Sequence, residues 1–333
     1  VLSAATVFSL LTLPAHAIVP GEGAYTTTTT LIRQNWETGE TEQLIVSNYD
    51  MYPGTSTYSF LSSEELARCT NISDNMVPQV IIGDDDRFNF YPVDLFSSIV
   101  LMVQTFDSDG DNLYDEISVG TGYLVSENVM ITAMHCLFPR ESGVENDLED
   151  ANYITTYVYQ GESTLCSNQE LPLLSLDYDN SAQITSITYD PRFFNVLETS
   201  GYSSTYDWCI VTLDKNFSCM YMDCDIALPS LEEEDFILAG YPRGMDDALL
   251  FQLFMGQGKI LDFDGTIFTH DADAEGGQSG GPLFTNAITN GFTCYGLHLS
   301  GSKSPITGLG IENYARAITP EIYNAIVEIM LDS

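Results

Sequence analysis

From Val80 onward the chain alternates short apolar blocks with clusters of Gly, Asn, Asp and Ser. The blocks Ser97–Phe106, Ile117–Val125, Val129–Ala133, Tyr153–Tyr159, Ile184–Tyr189, Trp208–Leu213, Phe236–Gly240, Phe251–Ile260, Gly281–Phe284 and Phe292–Leu299 are rich in β-branched and aromatic residues. Such side chains fit a pleated, half-buried surface, and many short strands with turn signals between them predict an all-β sandwich or barrel. The span 139–205 is long and polar and is expected to carry surface loops on a rigid core. One segment has helical spacing instead. Ile322, Ala325, Ile326 and Ile329 recur three and four residues apart between Pro320 and Leu331, with Thr319 as a cap and Pro320 at the first helical position.

The first 79 residues break this pattern. Residues 1–13 form an uncharged apolar run, followed by the small-x-small sequence Ala15-His16-Ala17, the arrangement of a truncated secretory signal over 1–17. The run is too short for a membrane anchor, which needs about 20 apolar residues, and no later segment qualifies, so no membrane partner is expected. Residues 18–79 hold a threonine run (Thr26–Thr30), much Ser, Thr and Glu, and few long apolar blocks. They read as a pro-segment; an ordinary N-terminal subdomain has the same composition. The remaining unit is 80–333.

Composition excludes two classes. With 48 acidic against 10 basic residues, a formal charge of −38, the chain lacks the clustered cations that nucleic-acid binding needs. With 44% apolar and 11% aromatic residues it is not disordered. Cys69 stands alone before residue 80, and six Cys follow it: Cys136, Cys166, Cys209, Cys219, Cys224 and Cys294. An even count in an exported domain fits disulfides, with Cys219–Cys224 the shortest loop to close; buried thiols are the alternative. Asp107, Asp109, Asp111 and Asp115 alternate between two predicted strands, as carboxylates do in loops that hold a structural calcium ion. The EF-hand pattern fails at Asn112, where Gly is required, and a solvated hairpin tip is the competing reading.

Three segments carry candidate chemistry. Glu275-Gly276-Gly277-Gln278-Ser279-Gly280-Gly281-Pro282-Leu283 sets a Ser among glycines, which lets the backbone turn tightly and aim N–H groups at a developing oxyanion. Ile131-Thr132-Ala133-Met134-His135-Cys136 ends a predicted strand in a His. Asp207 precedes the apolar strand Trp208–Leu213, where a buried carboxylate can orient an imidazole.

This His, Asp, Ser order on an all-β chain resembles the chymotrypsin fold of two six-stranded antiparallel β-barrels. Within that fold it is most similar to the bacterial glutamyl endopeptidase family, which includes the staphylococcal enzyme. The resemblance runs from Val80 to the C-terminus. It rests on Thr132-Ala133-Met134-His135-Cys136, Asp207–Leu213 and Gly277–Pro282. Val80-Ile81-Ile82-Gly83-Asp84-Asp85-Asp86-Arg87 is also similar to that family's mature N-terminus, and Gly296-Leu297-His298-Leu299-Ser300-Gly301 to the segment whose His binds the substrate carboxylate.

The resemblance implies a secreted serine endopeptidase. Its first barrel spans about 80–215, its second about 225–318, and a short C-terminal helix 320–331. Ser279 would be the nucleophile, His135 the general base and acid, and Asp207 its orienting carboxylate. The N–H groups of Gly277 and Ser279 would form the oxyanion hole. His298, Ala274 and the α-amine of Val80, freed by cleavage after Gln79, would lie at the pocket for a Glu or Asp side chain. Gln79 is not acidic, so a separate activating protease is implied. No cofactor is required, the substrates are proteins or peptides, and a monomer is expected. Four departures stand out. Ala274 occupies a position that is often Thr in that family and helps bind the substrate carboxylate. The separation of His135 and Asp207 (207 − 135 = 72) is long for the family and implies inserted loops. Gln278 occupies the position where digestive serine proteases carry an Asp that pairs with the new N-terminus. Asp273 occupies the position that selects Arg or Lys in trypsin-like enzymes, so basic specificity is one alternative, and a non-catalytic binding domain on the same fold is another.

Overall fold

The computed structural model describes residues 25–49, 76–77, 80–82, 84–89, 97–106, 116–138, 153–160, 181–195, 204–219, 221–231, 234–243, 252–287, 291–304, 306–307 and 309–332. Residues 1–17, expected above to be a signal, the acidic run 107–115, Cys69 and Cys166 lie outside these residues. In chain order the strands are β1 (Tyr25–Asn35), β2 (Thr41–Tyr49), β3 (Met76–Val77), β4 (Phe88–Asn89), β5 (Ile99–Phe106), β6 (Glu116–Leu124), β7 (Val129–Thr132), β8 (Tyr153–Gln160), β9 (Ser181–Tyr189), β10 (Cys209–Leu213), β11 (Asp223–Cys224), β12 (Asp235–Gly240), β13 (Phe254–Phe263), β14 (Ile267–His270), β15 (Pro282–Ala287), β16 (Gly291–Lys303) and β17 (Gly310–Ala317). A one-turn helix α1 (Met134–Leu137) follows β7, and α2 (Pro320–Asp332) ends the chain.

Strands β5 to β10 close on themselves in the order β10-β7-β6-β5-β8-β9, with β9 pairing back onto β10. Strands β12 to β17 do the same in the order β16-β15-β12-β13-β14-β17, with β16 pairing onto β17. Two six-stranded antiparallel barrels result, the chymotrypsin-like architecture that the sequence resemblance implies. Ile99, Val100, Leu101, Met102 and Val103 of β5 are all buried, as are all four residues of β7. The apolar core of the first barrel continues into the second through Tyr241, Phe284 and Leu297, and into the C-terminal helix α2 through Ile322, Ala325, Ile326 and Ile329. In α2, Ile322, Ala325, Ile326 and Ile329 are buried, the four positions read from the helical spacing. The Thr319 carbonyl accepts the Tyr323 N–H at 2.9 Å, which starts the helix at the expected cap. Among the described residues no helix is long and apolar enough to cross a membrane.

The pattern of the sequence concealed three features. Part of 18–79 is a β1–β2 hairpin that extends the first sheet, Ile32 to Asn35 pairing with Tyr189 to Ser186 of β9. Its Leu31 and Val46 are buried, and Arg33 pairs with Glu42 and with Asp332 of α2. The threonine run supplies β-branched residues without an apolar alternation, so it gave no strand signal. Strand β17 buries Asn313 and Arg316, and β14 has four residues. Neither shows the regular alternation of a half-buried strand. The five described cysteines are thiols, and Cys224 lies opposite Cys294 across the parallel β11–β16 pair rather than against Cys219.

Candidate active site

The register of the first barrel brings His135 and Asp207 together. Strands β7 and β10 pair with Thr132 opposite Cys209, and β7 ends three residues before His135, the second residue of α1. Asp207 stands two residues before Cys209, after the tight turn Ser204–Tyr206, and is completely buried. Its Oδ1 accepts the His135 backbone N–H at 2.8 Å, and its Oδ2 lies 2.6 Å from His135 Nδ1. An ionised carboxylate only accepts, so Nδ1 carries a hydrogen, and in the neutral ring Nε2 keeps its lone pair. Cys136 beside it is a buried thiol, its pKa pushed up to about 12 by burial and then by Asp207, and is chemically quiet.

The turn carrying Ser279 is seated on the first barrel. Thr121 of β6 donates its N–H to the Ser279 carbonyl at 2.9 Å and its hydroxyl to the Gly277 carbonyl at 2.7 Å. Cys136 Sγ donates to the same Ser279 carbonyl at 3.4 Å. Gly280 has φ +80, and a Cβ there would lie 2.2 Å from the Thr121 carbonyl and 2.3 Å from Thr132 Oγ1. Gly277 has φ +101, and a Cβ there would lie 2.3 Å from the Tyr241 carbonyl. Only Gly fits either position. Ser279 Oγ donates to the Leu299 carbonyl at 3.2 Å. Along the turn the N–H groups of Gln278, Gly280 and Gly281 go to the carbonyls of Glu275, His298 and Gln278. The N–H groups of Gly277 and Ser279 alternate with them.

His298 of β16 joins this centre through its backbone, which exchanges bonds with Gly280 and Gly281 at 2.7 and 2.8 Å. Its ring is fully buried, with Nδ1 3.2 Å from His270 Nε2 and no hydrogen-bond partner at Nε2 among the described residues. Burial holds its pKa well below the ordinary value, helped by His270 and His135, and burial pulls His270 down to about 3. Both imidazoles are therefore neutral at pH 7. His270 lies in no recognisable motif, and the His–His pair was not readable because it depends on β14 and β16 both flanking β17.

Residues 120–288 match the family described as the trypsin-like peptidase domain. The chain belongs to that family. Among solved structures, it is similar to a Glu endopeptidase solved in complex with MPD, with TM-score 0.54 and 19% identity over 75% of this chain and 99% of that one. It is also similar to an inactivated protease paralogue of the scabies mite, with TM-score 0.50 and 16% identity over 74% of this chain and 99% of that one. Likeness at these identities shows the fold alone. A fold that also serves an inactivated protease leaves activity to the side chains. No curated protein has a significantly matching sequence.

In this trypsin-like peptidase domain, the segment after Val80 docks on the second barrel. Asn313 clamps Val80, its Oδ1 accepting the Val80 N–H at 3.1 Å and its Nδ2 donating to the Val80 carbonyl at 2.9 Å. The N–H of buried Ala274 approaches the same carbonyl at 3.3 Å. Both Asp273 oxygens are engaged by this segment, Oδ1 with the Ile82 N–H at 2.6 Å and Oδ2 with the Asp86 N–H at 3.1 Å. Arg87, used above only as part of the N-terminal similarity, reaches Asp85, Glu275 and Gln278. Asn313 carried no motif signal, and Glu275 entered only as the first residue of the Ser279 segment. Strand β3 pairs with β16, Val77 opposite Gly301 and Met76 opposite Ser302.

Proposed function

We propose that the chain is the precursor of a secreted serine endopeptidase that hydrolyses peptide bonds through an acyl-enzyme. One observation carries the reading: a completely buried carboxylate, Asp207, holds His135 by both its backbone N–H and its ring Nδ1. The Ser279 turn is tied to β6 at Thr121 and, at Cys136, to α1, the helix that bears that ring. In the reaction Ser279 Oγ attacks the scissile carbonyl and gives its proton to His135 Nε2. Asp207 fixes the tautomer and stabilises the imidazolium. The N–H groups of Gly277 and Ser279 receive the oxyanion. His135 then protonates the leaving amine, and water repeats the sequence on the ester. The chemistry uses no cofactor, and the enzyme acts as a monomer.

The preferred residue before the scissile bond is Glu or Asp. A buried imidazole with an unpartnered Nε2, held beside the Ser279 turn, suits a carboxylate. The fold neighbour that is a Glu endopeptidase agrees with this preference. Asp273, the residue that would select Arg or Lys, already accepts two backbone N–H groups, which disfavours basic specificity. Residues 18–79 act as a pro-segment removed by another protease after Gln79.

The test is fluorophosphonate labelling with peptide mapping, followed by cleavage of a mixed peptide library. Labelling confined to Ser279, with cleavage after Glu and Asp, is expected. Absence of labelling refutes the enzyme reading in favour of a binding domain, and cleavage after Arg or Lys refutes the pocket.

A further inference from the structure

We propose that Arg87 is the positioning residue of the oxyanion turn. The proposal rests on the serine-endopeptidase reading above. The Arg87 side chain is 2% exposed, yet every branch of its guanidinium finds an acceptor. Nε and Nη2 bind the two Asp85 oxygens at 2.9 and 2.7 Å, Nη2 also binds Glu275 Oε2 at 2.9 Å, and Nη1 binds Gln278 Oε1 at 3.2 Å. That Gln278 oxygen also accepts the Glu275 N–H at 3.0 Å. The guanidinium thus grips both ends of the turn Glu275–Gln278, which encloses Gly277 and leads straight into Ser279. Arg87 itself is fixed by its neighbours, since the backbone just before it hangs on Asp273 at Ile82 and Asp86. A planar, five-donor fork can serve three acceptors at once, whereas a Lys ammonium is a point charge on a flexible stem. Because Arg87 lies inside the chain, the turn is braced before any cut after Gln79. Gln278 then needs no negative charge to meet a new N-terminus.

Oxyanion donors act on the transition state, so loosening this brace should lower kcat and leave KM nearly unchanged. Arg87→Gln in the full chain, processed like the wild type, should reduce kcat about 100-fold with KM within about threefold, the loss expected for one oxyanion donor. A peptide aldehyde, whose adduct places an anionic oxygen in the turn, should lose the same factor in affinity. A product peptide of the same sequence should not. Arg87→Lys should recover part of the loss. Should Arg87→Gln fail to fold, Gln278→Met keeps the Arg87–Glu275 pair while removing the other acceptor, and should show the same split to a smaller degree. Unchanged kcat in the folded variants, or kcat and KM changing together, overturns the proposal. A wild-type chain that neither labels nor hydrolyses defeats the enzyme reading and this proposal with it, and is told apart by that wild-type control.

A separate observation carries a second inference. We infer that Met76–Val77 keeps the uncut chain latent by lying on the sheet edge that a substrate needs. Strand β16 gives one edge to β17 as far as Lys303. On its other edge β15 reaches only to Leu297, because β15 begins at Pro282, just after the Ser279 turn. Past that point Leu299 receives the Ser279 hydroxyl, and Gly301 and Ser302 pair with Val77 and Met76. A peptide whose scissile carbonyl lies at Ser279 would add to this same edge as an extended strand, so the two backbones exclude each other. In the full chain with the Gln79–Val80 bond intact, the double variant Met76→Pro and Val77→Pro removes both N–H donors of β3. It should hydrolyse a tetrapeptide substrate at least about tenfold faster than the intact wild type. A single-residue ester, too short to reach Gly301, should change less than about twofold. A synthetic peptide of residues 70–79 should inhibit the processed enzyme competitively. Equal tetrapeptide rates for the two intact chains, an equal gain on the ester, or no inhibition by the peptide would each overturn the inference.

Discussion

Acid should destabilise this protein through His270, and the size of the effect follows from its burial. The ring lies edge-on to Phe236 at 5.3 Å, bonds His298 at 3.2 Å, and is completely buried. Its folded pKa is pulled from 6.5 to about 3. Below pH 6.5 the unfolded chain binds a proton at this position that the folded chain refuses, so stability falls as pH falls, across the window from 6.5 down to about 3. At about 1.4 kcal/mol per pH unit, the loss from this one ring reaches about 2 kcal/mol at pH 5. That corresponds to roughly 4–8 °C in melting temperature for a domain of this size. Asp223, Asp273 and Glu321 act in the opposite sense, since burial raises their carboxyl pKa values and the folded state takes up protons first. Comparing wild type with His270→Gln at each pH removes their contribution. The assay is urea unfolding of both proteins at pH 7, 6 and 5. The variant should be less stable at pH 7, because the His298 ring loses its partner. Its deficit should shrink by about 2 kcal/mol by pH 5. Parallel stability curves would refute the argument and mean that His270 is protonated in the folded state.

The remaining predictions concern the site and its supports. Ser279→Ala should abolish hydrolysis in a folded protein, and Asp207→Asn should lower kcat about ten-thousandfold by stabilising the wrong His135 tautomer; steady-state kinetics check both. His298→Val should reduce cleavage after Glu far more than after an uncharged residue, read as the ratio of the two kcat/KM values, and an unchanged ratio would remove His298 from the pocket. Oxidation of the purified chain by a small-molecule disulfide should join Cys224 to Cys294, which face each other across paired strands about 4.8 Å apart. Non-reducing peptide mapping should find that link in place of Cys219–Cys224. A chelator should lower the melting temperature, with calcium restoring it, if Asp107, Asp109, Asp111 and Asp115 hold an ion, and replacing Asp109 and Asp111 by Asn should abolish the response.

What the sequence disclosed was chemistry that admits few substitutes. Gly277 and Gly280 announce themselves because their backbone angles and blocked Cβ positions exclude every other residue. The β7 run ending near His135, and the β10 run beginning after Asp207, are nearly continuous apolar stretches, buried at every position but Thr212. What stayed hidden was direction. An Asp six residues before a Ser reads the same whether its oxygens face a substrate or the N–H groups of Ile82 and Asp86. Buried Asn313 and Arg316 make β17 look like a loop, yet each is satisfied by backbone that sequence does not place beside it. The β1–β2 hairpin was masked by threonines, and Cys224 was matched to its sequence neighbour because a parallel pairing with β16 joins residues far apart in the chain.

The two barrels contribute unequally to the site, and this determines where it is vulnerable. His135 follows β7 and Asp207 precedes β10, adjacent strands of one barrel, so the ladder that forms the barrel also sets their separation. Ser279 belongs to the other barrel and reaches them only through ties across the junction. Thr121 supplies two of these ties to the Ser279 turn. Arg316 of β17 supplies a third in the reverse direction, its Nε donating at 2.7 Å to the Thr205 carbonyl in the turn that leads to Asp207. Burial without a directly bonded carboxylate pulls the Arg316 pKa down to about 10, which still leaves it charged at neutral pH. Its carbonyl partners at Thr205, Thr266 and Ala317 are therefore what keep a buried cation tolerable. Removing those contacts would disturb the fold and the approach to Asp207 together. Removing Thr121 Oγ1 would instead release the Gly277 carbonyl and the Tyr241 N–H, which faces the same turn, while leaving both barrels closed. A site assembled across a junction in this way is held by a few polar bonds set in an apolar interface, so small losses there should reach catalysis before they reach the fold.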